Sequence, residues 1–357
     1  MKILHIAPIG HHAEGIGTVI EKIVPLQILL GNEVRIVSVY GNVVYKDLPI
    51  TTIRNKRIFS SYIRKWKPDI VQFHSMYLWK YLIFAKVLTT MRIPYLTQMH
   101  GALSEANYQK NHWKKWIANK LFWNSFLRDS STIVYLNKSE YNRCIVKQIN
   151  ASCDIVPNGC ELPDEVKKEK QIADVIDIIY IGRISCYHKG LDILIEAISI
   201  LKKQDVGGFK ISFYGNEDDA DVEWLKEKLH GLEDLASYNG GIYGKDKDLL
   251  FRKTDIFILT SRYEGMPMGV LEALSYGVPC LVTLGTNMAE EIVGNNAGWC
   301  SEITPLSIVA TIQNAIKDYK ENVTTYRNNA VKLSENYNWE NIAKKSIDVL
   351  QRVVSKR

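Results

Sequence analysis

The chain has 357 residues, enough for two domains, since single cores usually stop growing near about 250–300 residues. Apolar residues make up 46% and charged residues 24%, as in an ordinary soluble globular protein. No apolar run reaches the ~18 residues of a membrane span, and residues 1–8 predict a core strand rather than a signal peptide. The six cysteines are scattered without a Cys-x-x-Cys pair, which favours a reducing cytoplasm over a disulfide scaffold or a zinc site.

The net charge of +6 is unevenly distributed along the chain. Residues 1–160 contain 21 Lys and Arg against 9 Asp and Glu, whereas residues 161–357 contain 24 against 30. A basic half joined to an acidic half suggests that the first half faces something anionic, either nucleic acid or an anionic membrane surface.

Apolar strand candidates alternate with helical stretches through the first half. Strands are predicted at 2–8, 33–39, 69–73, 94–99, 132–136 and 153–156, and helices at 17–30, 77–91, 111–128 and 138–148. This alternation is typical of parallel sheets with helices on both faces.

A Pro- and Gly-containing break at 156–163, followed by a charged stretch at 164–170, marks the predicted domain boundary. The strand pattern then restarts at 176–182 and continues at 209–214, 237–241, 255–260 and 279–283. The sequence thus predicts an α/β protein with two doubly wound domains, residues 1–162 and 163–338, and an amphipathic closing helix from Trp339.

Ligands of doubly wound sheets bind beyond the carboxyl ends of the strands, so we looked for polar and glycine residues there. The predicted loop at 10–18 carries Gly15 and Gly17, which would allow a close backbone approach to a ligand. It is a poor dinucleotide fingerprint because the third glycine is missing, and a flexible crossover loop remains an alternative interpretation.

Two cations, Arg183 and Lys189, follow the predicted strand at 176–182. Arg offers a fork for phosphate oxygens and Lys a mobile point charge, so the pair could stabilise a leaving diphosphate without a metal. Two ordinary surface cations are the alternative.

Two carboxylates, Glu264 and Glu272, flank a Gly- and Pro-rich turn between a predicted buried strand and a short helix that ends at Gly277. Such a turn directs backbone N–H groups and the positive helix end at one point, which suits a diphosphate. Carboxylates accept hydrogen bonds from sugar hydroxyls. Unrelated solvated acids on a loop and a helix would also explain the pair.

The stretch EGMPMGVLE at 264–272 resembles the paired-glutamate signature of the family 4 retaining glycosyltransferases. The stretch GRISCYHKG at 182–190 matches a second motif of that family, and both stand in the family's order and spacing. The resemblance is strongest across 175–295. It implies the GT-B architecture, in which two Rossmann-like domains face each other across a cleft and the closing helix 339–357 completes the first domain.

The resemblance also assigns roles to individual residues. Arg183 and Lys189 would hold the diphosphate, Glu272 the ribose hydroxyls, and Glu264 the donor sugar. The amides of the turn would assist Glu264, and Gly15 and Gly17 would lie over the donor phosphates. The turn residues are Gly265, Met266, Pro267 and Met268.

His100 follows the predicted strand at 94–99 and precedes Gly101. A lone histidine is more often structural than catalytic, but the resemblance implies that a histidine at this place contacts the donor sugar near the reacting carbon. We therefore count His100 with Glu264, Arg183 and Lys189 as the candidate catalytic set.

Lysines and aromatic residues interleave at helical spacing over residues 108–128. Trp113, Trp116, Leu121 and Trp123, with Lys110, Lys114, Lys115 and Lys120, could lie in a membrane interface. A helix with core aromatics and solvated lysines is an equally good interpretation. No nucleic-acid module is visible, so we expect no nucleic-acid partner.

Together these features predict a retaining hexosyltransferase that uses a nucleoside diphosphate sugar, UDP-linked rather than GDP-linked, and requires no metal. Its acceptor would be a lipid-linked oligosaccharide of a bacterial surface polysaccharide such as O-antigen, capsule or exopolysaccharide. The enzyme would work in the cytoplasm, bound peripherally to an anionic plasma membrane. A non-hydrolysing nucleotide-sugar epimerase and a catalytically silent nucleotide-sugar-binding subunit are the alternatives.

Overall fold

The computed structural model describes residues 1–10, 14–41, 45, 47–102, 112–145, 148–150, 152–164, 173–216 and 219–356. The side chains of residues 14, 112, 114, 115 and 219 lie outside that description. The chain divides into two compact units, which we call unit 1 (residues 1–159 and 339–357) and unit 2 (residues 160–338). The predicted boundary at 162/163 lies three residues from this division.

Unit 1 contains a seven-stranded, wholly parallel sheet with the strand order β3-β2-β1-β4-β5-β6-β7. Its strands are β1 Lys2–Ala7, β2 Glu33–Ser38, β3 Ile50–Thr52, β4 Ile70–His74, β5 Tyr95–Gln98, β6 Ile133–Tyr135 and β7 Cys153–Ile155. The central strands are buried on both faces, which explains their nearly continuous apolar sequences.

Helices connect these strands. They are α1 Glu14–Leu29, α2 Lys56–Trp66, α3 Trp79–Thr90, α4 His112–Ala118, a π-helical turn Asn119–Trp123, α5 Asn124–Asp129 and α6 Lys138–Asn142. Helix α6 ends at Asn142, so the predicted helix at 138–148 is wrong at residues 143–145 and 148, while residues 146 and 147 lie outside the described residues. The short strand β3 was not predicted.

Unit 2 contains a six-stranded, wholly parallel sheet with the order β10-β9-β8-β11-β12-β13. Its strands are β8 Ile176–Ile181, β9 Phe209–Tyr214, β10 Ala236–Tyr238, β11 Ile256–Leu259, β12 Cys280–Thr283 and β13 Gly298–Ser301. The helices are α7 Leu191–Lys203, α8 Asp219–Leu229, α9 Gly244–Lys253, α10 Met268–Ser275, α11 Ala289–Gly294 and α12 Pro305–Glu335, with a 3₁₀ turn at Leu284–Thr286. Strand β13 was not predicted.

The last helix, α13 (Trp339–Ser355), belongs to unit 1. It packs against α1, and its first residue, Trp339, lies so close to Gly159 that a side chain there would collide with the indole ring. Arg352 pairs with Asp154 at 2.6 Å between Nη2 and Oδ1. The amphipathic pattern of this segment thus reflects packing against the first sheet's helices.

The prediction of two doubly wound α/β domains is confirmed by these two sheets and the helices that join their strands. Within the described ranges, no helix is both long and apolar enough to cross a bilayer.

Candidate active site

The candidate site of unit 2 is centred on an ion pair between Lys189 and Glu264, whose Nζ and Oε1 atoms lie 2.6 Å apart. Both side chains are largely buried, with 14% and 12% of their surfaces exposed. Lys189 follows β8 and Glu264 follows β11, and these strands are neighbours in the sheet. The pair therefore lies at the carboxyl edge, where ligands of such sheets bind.

A glycine and a threonine bring Lys189 to this position. Gly190 has φ +64°, and a side chain there would collide with the carbonyl oxygen of Thr260 at the end of β11. The Thr260 hydroxyl donates to the carbonyl oxygens of Lys189 and Gly190, both at 3.1 Å. The Lys-Gly turn is thus tied to the strand that leads to Glu264.

The loop that carries Glu264 is held on several sides. Its backbone N–H donates to the carbonyl of Gly285 at 2.9 Å, and its carbonyl accepts from Asn287 Nδ2 at 2.6 Å. A side chain at Gly285 would collide with the carbonyl oxygens of Ser261 and Arg262, so only glycine permits this approach. Neither Gly285 nor Asn287 was singled out from the sequence.

The Glu264 carboxylate is oriented by two donors on the same oxygen. Ser261 Oγ and Lys189 Nζ both donate to Oε1 at 2.6 Å. Among the described residues no hydrogen bond to Oε2 is found, so this oxygen can accept from a ligand hydroxyl. Burial alone would raise the pKa of Glu264, but the charges of Lys189 and His188 and the hydrogen bonds from Lys189 and Ser261 together outweigh it and hold the pKa below its usual value.

Arg183 is exposed and reaches this cluster through His188. Its Nη2 donates to His188 Nδ1 at 3.1 Å, and His188 Nε2 donates to the carbonyl of Tyr263 at 2.9 Å. The His188 ring stacks on Tyr263 with centroids 4.3 Å apart, and burial lowers its pKa. His188 therefore links Arg183 to the loop of Glu264.

Glu272 lies in α10, one turn beyond Met268. Its Oε2 accepts from Lys247 Nζ at 2.6 Å, so the structure pairs the second glutamate with a lysine of α9 rather than with Arg183 or Lys189. Pro267 caps α10 without a side-chain hydrogen bond, and the helix begins at Met268, four residues after Glu264. Gly265 and the buried Met266 complete the turn.

A second ion pair supports the motif loop from outside. Arg262 donates to both carboxylate oxygens of Asp192 at 2.6 Å, and its guanidinium lies 4.3 Å from the centre of the Tyr187 ring. Neither Arg262 nor Asp192 was singled out from the sequence, because their interaction joins residues 70 positions apart.

The prediction of a glycine-containing loop at residues 10–18 of unit 1 is wrong from Glu14 onward. Helix α1 begins at Glu14, so Gly15 and Gly17 occupy its first turn instead of a loop. A side chain at Gly15 would enter open space, whereas one at Gly17 would collide with the Tyr45 hydroxyl. Residues 11–13 lie outside the described residues.

His100 lies two residues beyond β5, as predicted, in the left-handed backbone region with φ +49°. Its Nε2 lies 3.0 Å from His74 Nδ1. The next residue, Gly101, donates its N–H to Glu140 Oε1 at 2.5 Å. Burial raises the pKa of Glu140 to about 7. Glu140 was not singled out from the sequence.

The aromatic stretch divides between core and surface. Trp123 is buried with Phe126 in the core of unit 1, so the prediction that it lies in an interface is wrong. The π-helical turn adds a residue to the helix, which changes the face that follows it. We call the exposed residues the aromatic face: Trp79, Trp113, Trp116, Leu121 and Phe122, which are 59%, 62%, 53%, 63% and 42% exposed. Lys110 and the side chains of Lys114 and Lys115 lie outside the described residues.

Comparison with known proteins identifies several relatives. The chain is 25% identical over 185 residues to mannosylfructose-phosphate synthase of Agrobacterium fabrum, covering 49% of this chain and 40% of that protein. It is 30% identical over 178 residues to an uncharacterized glycosyltransferase of Methanocaldococcus jannaschii, covering 48% and 44%. O-antigen chain mannosyltransferase B of Escherichia coli is 25% identical, with 61% and 57% covered. The matches thus span about half the length of these relatives.

Solved structures show the same fold over the whole chain. The lipopolysaccharide outer core galactosyltransferase WaaB superposes with a TM-score of 0.77 at 16% identity, covering 99% of both chains. The Anabaena protein HepE, solved in complex with UDP, superposes with a TM-score of 0.76 at 17% identity, covering 99% of this chain and 100% of that one.

Two family models match in succession. Residues 18–162 match the model described as Glycosyltransferase Family 4, and residues 163–333 match the model described as Glycosyl transferases group 1. These matches cover both units, including the Lys189–Glu264 cluster. The chain belongs to the glycosyl transferases of group 1, within glycosyltransferase family 4.

Proposed function

We propose that this protein transfers a hexosyl group from a nucleoside diphosphate sugar to a hydroxyl of a saccharide acceptor, with retention at the anomeric carbon. The observation that carries this proposal is the Lys189–Glu264 pair at the carboxyl edge of the unit 2 sheet. There, a buried carboxylate pairs with Lys189, its second oxygen accepts no hydrogen bond from the described residues, and Arg183 reaches the same loop through His188.

The cations suit the diphosphate. As the glycosidic bond to phosphate breaks, negative charge grows on the leaving group, and preorganised cations stabilise it. Arg183 is exposed and can turn its guanidinium fork toward phosphate oxygens, while Lys189 supplies a point charge that Glu264 already holds in place. The first N–H groups of α10 add donors for the same anion.

The two carboxylates suit the neutral parts of the donor. Glu264 Oε2 accepts from hydroxyls of the transferred sugar, and Glu272 accepts from the ribose hydroxyls while Lys247 keeps its carboxylate oriented. Hydroxyl recognition by carboxylates held by other donors is specific, because an unmatched buried acceptor is costly.

The proposed reaction needs no dedicated protein base. The bond between the anomeric carbon and the phosphate oxygen breaks, and the acceptor oxygen forms its bond to the same face of that carbon. The acceptor's proton passes to an oxygen of the leaving diphosphate. His100, by family resemblance, contacts the donor sugar near the reacting carbon and positions it.

We further propose UDP as the nucleotide and a reaction without a metal. The HepE structure in complex with UDP supports UDP over GDP by analogy of fold. Arg183 and Lys189 would neutralise the charge that a divalent cation neutralises elsewhere.

The acceptor we propose is a lipid-linked oligosaccharide of a bacterial surface polysaccharide. The similarity to O-antigen chain mannosyltransferase B supports this class. The aromatic face and the basic first half support peripheral binding to the anionic inner face of the plasma membrane. Lys120 Nζ lies 5.2 Å from the centre of the Trp116 ring, so a cation and an aromatic side chain occupy one surface.

The test is incubation of the purified protein with labelled UDP-, GDP- and ADP-sugars and a bacterial lipid extract, with and without excess EDTA. We expect label in the lipid fraction from a UDP-sugar, undiminished by EDTA and with retained configuration. Isomerised nucleotide sugar without transfer would identify an epimerase. Binding without either reaction would identify a silent subunit, and activity lost in EDTA and restored by Mg²⁺ or Mn²⁺ would overturn the metal-free mechanism.

A further inference from the structure

A chain of polar side chains crosses the core of unit 1 and ends at His100. His5 on β1 and His74 on β4 are both fully buried. His5 Nδ1 lies 2.8 Å from His74 Nε2, and His74 Nδ1 lies 3.0 Å from His100 Nε2. At the other end, His5 Nε2 lies 2.8 Å from Gln27 Oε1, and Gln27 Nε2 donates to Ser346 Oγ at 3.2 Å.

All three rings are neutral at pH 7, because burial lowers the pKa of His5 and of His100 to about 4 and lowers that of His74 as well. A neutral imidazole has one N–H donor and one acceptor nitrogen. Three hydrogen bonds join Gln27, His5, His74 and His100, and each needs one hydrogen. The chain therefore has only two self-consistent arrangements, which run in opposite directions.

The Gln27 amide selects one of them. Its oxygen faces His5, so His5 must donate from Nε2, His74 from Nε2 and His100 from Nε2. If the amide were reversed, every ring would carry its hydrogen on Nδ1 instead. The amide is held by Ser346, which lies on the closing helix α13 and accepts from Gln27 Nε2.

We propose that Gln27, whose side chain is anchored by Ser346, is a positioning residue which, through His5 and His74, fixes His100 in the tautomer with hydrogen on Nε2 and a lone pair on Nδ1. Among the described residues, no group bonds to His100 Nδ1. That nitrogen is therefore an acceptor, and it would recognise a hydroxyl of a sugar rather than an anionic group.

The backbone supports the same geometry. His100 occupies a left-handed conformation that non-glycine residues rarely adopt, and Glu140 holds the adjacent Gly101 N–H. The ring is thus fixed on its Nε2 side and at its backbone, so that Nδ1 has a defined direction. The consequence for transfer rests on the proposed function, in which His100 contacts the donor sugar, whereas the tautomer itself does not.

The direct test is a long-range ¹H–¹⁵N correlation spectrum of the histidine rings, with His100 assigned by its loss in His100→Gln. We expect protonated Nε2 and unprotonated Nδ1 for His5, His74 and His100 in the wild-type protein at pH 7.5. Protonated Nδ1 at His100 would overturn the proposal without any reference to enzymatic activity.

Four substitutions sharpen this test. Gln27→Leu removes the acceptor and should give His100 a mixture of tautomers. Ser346→Ala, a smaller change far from His100, should shift the same signals in the same direction. Gln27→Glu keeps an acceptor oxygen and should restore the wild-type pattern. Gln72→Met is the matched control. Gln72 carries a buried amide that bonds to Gln98 and lies on the same face of β4 as His74, but it is not part of the chain of side chains from Ser346 to His100, which we call the histidine relay. An unchanged His100 tautomer in both Gln27→Leu and Ser346→Ala would contradict the proposal.

Kinetic measurements on the same variants then show whether the tautomer of His100 affects the transfer reaction. Gln27→Leu should lower kcat about tenfold while changing KM less than about twofold, as expected for the loss of an outer positioning partner. Gln27→Glu should recover most of the activity, and Gln72→Met should retain it. A changed tautomer with unchanged transfer would support the relay and overturn the role of His100 at the donor.

Discussion

Around Glu264 in unit 2 the polar side chains are charged and paired with opposite charges, whereas those leading to His100 in unit 1 are neutral and joined end to end. The charged pairs retain some exposure, so they can exchange partners with an anionic ligand. In the histidine chain both ring nitrogens of His5 and His74 already have partners, and only Nδ1 of His100 is left to accept from a ligand among the described residues. The comparison suggests that the polar cluster of unit 2 binds a charged ligand, whereas the histidine chain of unit 1 fixes the orientation of the His100 ring.

The largest effect should follow removal of a cation from unit 2. We expect Arg183→Ala and Lys189→Ala to lower kcat/KM by roughly 10²–10³, a loss of about 2.7–4 kcal/mol at the transition state. Lys189→Ala should be the more damaging, since it also leaves Glu264 buried without its cation. Lys203→Ala, an exposed cation at the end of α7, is the control and should behave as wild type. Wild-type turnover in the two variants would show that these residues are ordinary cations.

A smaller effect should separate the two glutamates. Glu272→Gln should weaken nucleotide binding by roughly 1–3 kcal/mol, because it disturbs hydroxyl contacts made before the chemical step. Glu264→Gln should lower kcat more than it raises KM. Calorimetric titration with the bare nucleotide checks the first variant, and an unchanged affinity there would count against the ribose role of Glu272.

The pH dependence of stability should expose the neutral chain of unit 1. His5 and His100 titrate near pH 6.5 when unfolded but at about 4 when folded, so acid favours the unfolded state. As the pH falls from 8 to 5, the preference of the unfolded state for protonated His5 and His100 should lower the free energy of unfolding by about 2 kcal/mol for each residue. His74 acts in the same direction. Glu140 acts oppositely, because its folded pKa of about 7 exceeds the unfolded value of 4.5 and its protonation returns about 2 to 3 kcal/mol.

Urea unfolding at pH 8 and pH 5 measures this balance. We expect a net loss of more than about 1 to 2 kcal/mol in the wild-type protein, since His74 adds to the loss from His5 and His100, and a still larger loss in Glu140→Gln, which no longer gains stability on acidification. Parallel pH profiles for the two proteins would mean that Glu140 does not titrate in this range.

The smallest individual effects should come from the membrane surface. Replacement of Lys110, Lys114, Lys115 and Lys120 by Gln should reduce flotation with anionic liposomes, each lysine contributing about 1 kcal/mol, and wild-type binding should fall with salt. The matched control replaces four exposed lysines of unit 2, Lys203, Lys210, Lys228 and Lys245. If the wild-type protein ignores anionic liposomes at low salt, the aromatic face has another role and a soluble acceptor becomes the better proposal.

The fold was largely predictable because buried parallel strands are marked by short apolar runs between helical stretches. The two missed strands lack that mark. Strand β3 has only three residues, and β13 begins at Gly298, where a side chain would collide with the backbone of Cys280. Helix α1 began earlier than predicted because Gly15 and Gly17 concealed its first turn.

The candidate site was predictable only where its residues are close in sequence. The two motifs indicated Arg183, Lys189, Glu264 and Glu272, since each motif follows one strand. The partners that orient the site residues come from distant parts of the chain. Lys247 lies 25 positions from Glu272, and in the side-chain network that leads to His100, Gln27 lies 319 positions from Ser346. No local pattern reveals such pairs, because they depend on which strands and helices become neighbours.

The proposal that unit 2 holds a diphosphate through Arg183 and Lys189 can be tested by comparing the binding of a nucleoside diphosphate with that of its nucleoside. Isothermal titration of UDP and uridine in EDTA, with GDP and ADP pairs in parallel, isolates the contribution of the diphosphate to binding. We expect UDP to bind far more tightly than uridine to the wild-type protein, and Arg183→Ala combined with Lys189→Ala to abolish most of that difference while uridine binding is retained. The proposal would be contradicted if each of the three diphosphates bound no more tightly than its own nucleoside. It would also be contradicted if the difference between UDP and uridine survived the double substitution.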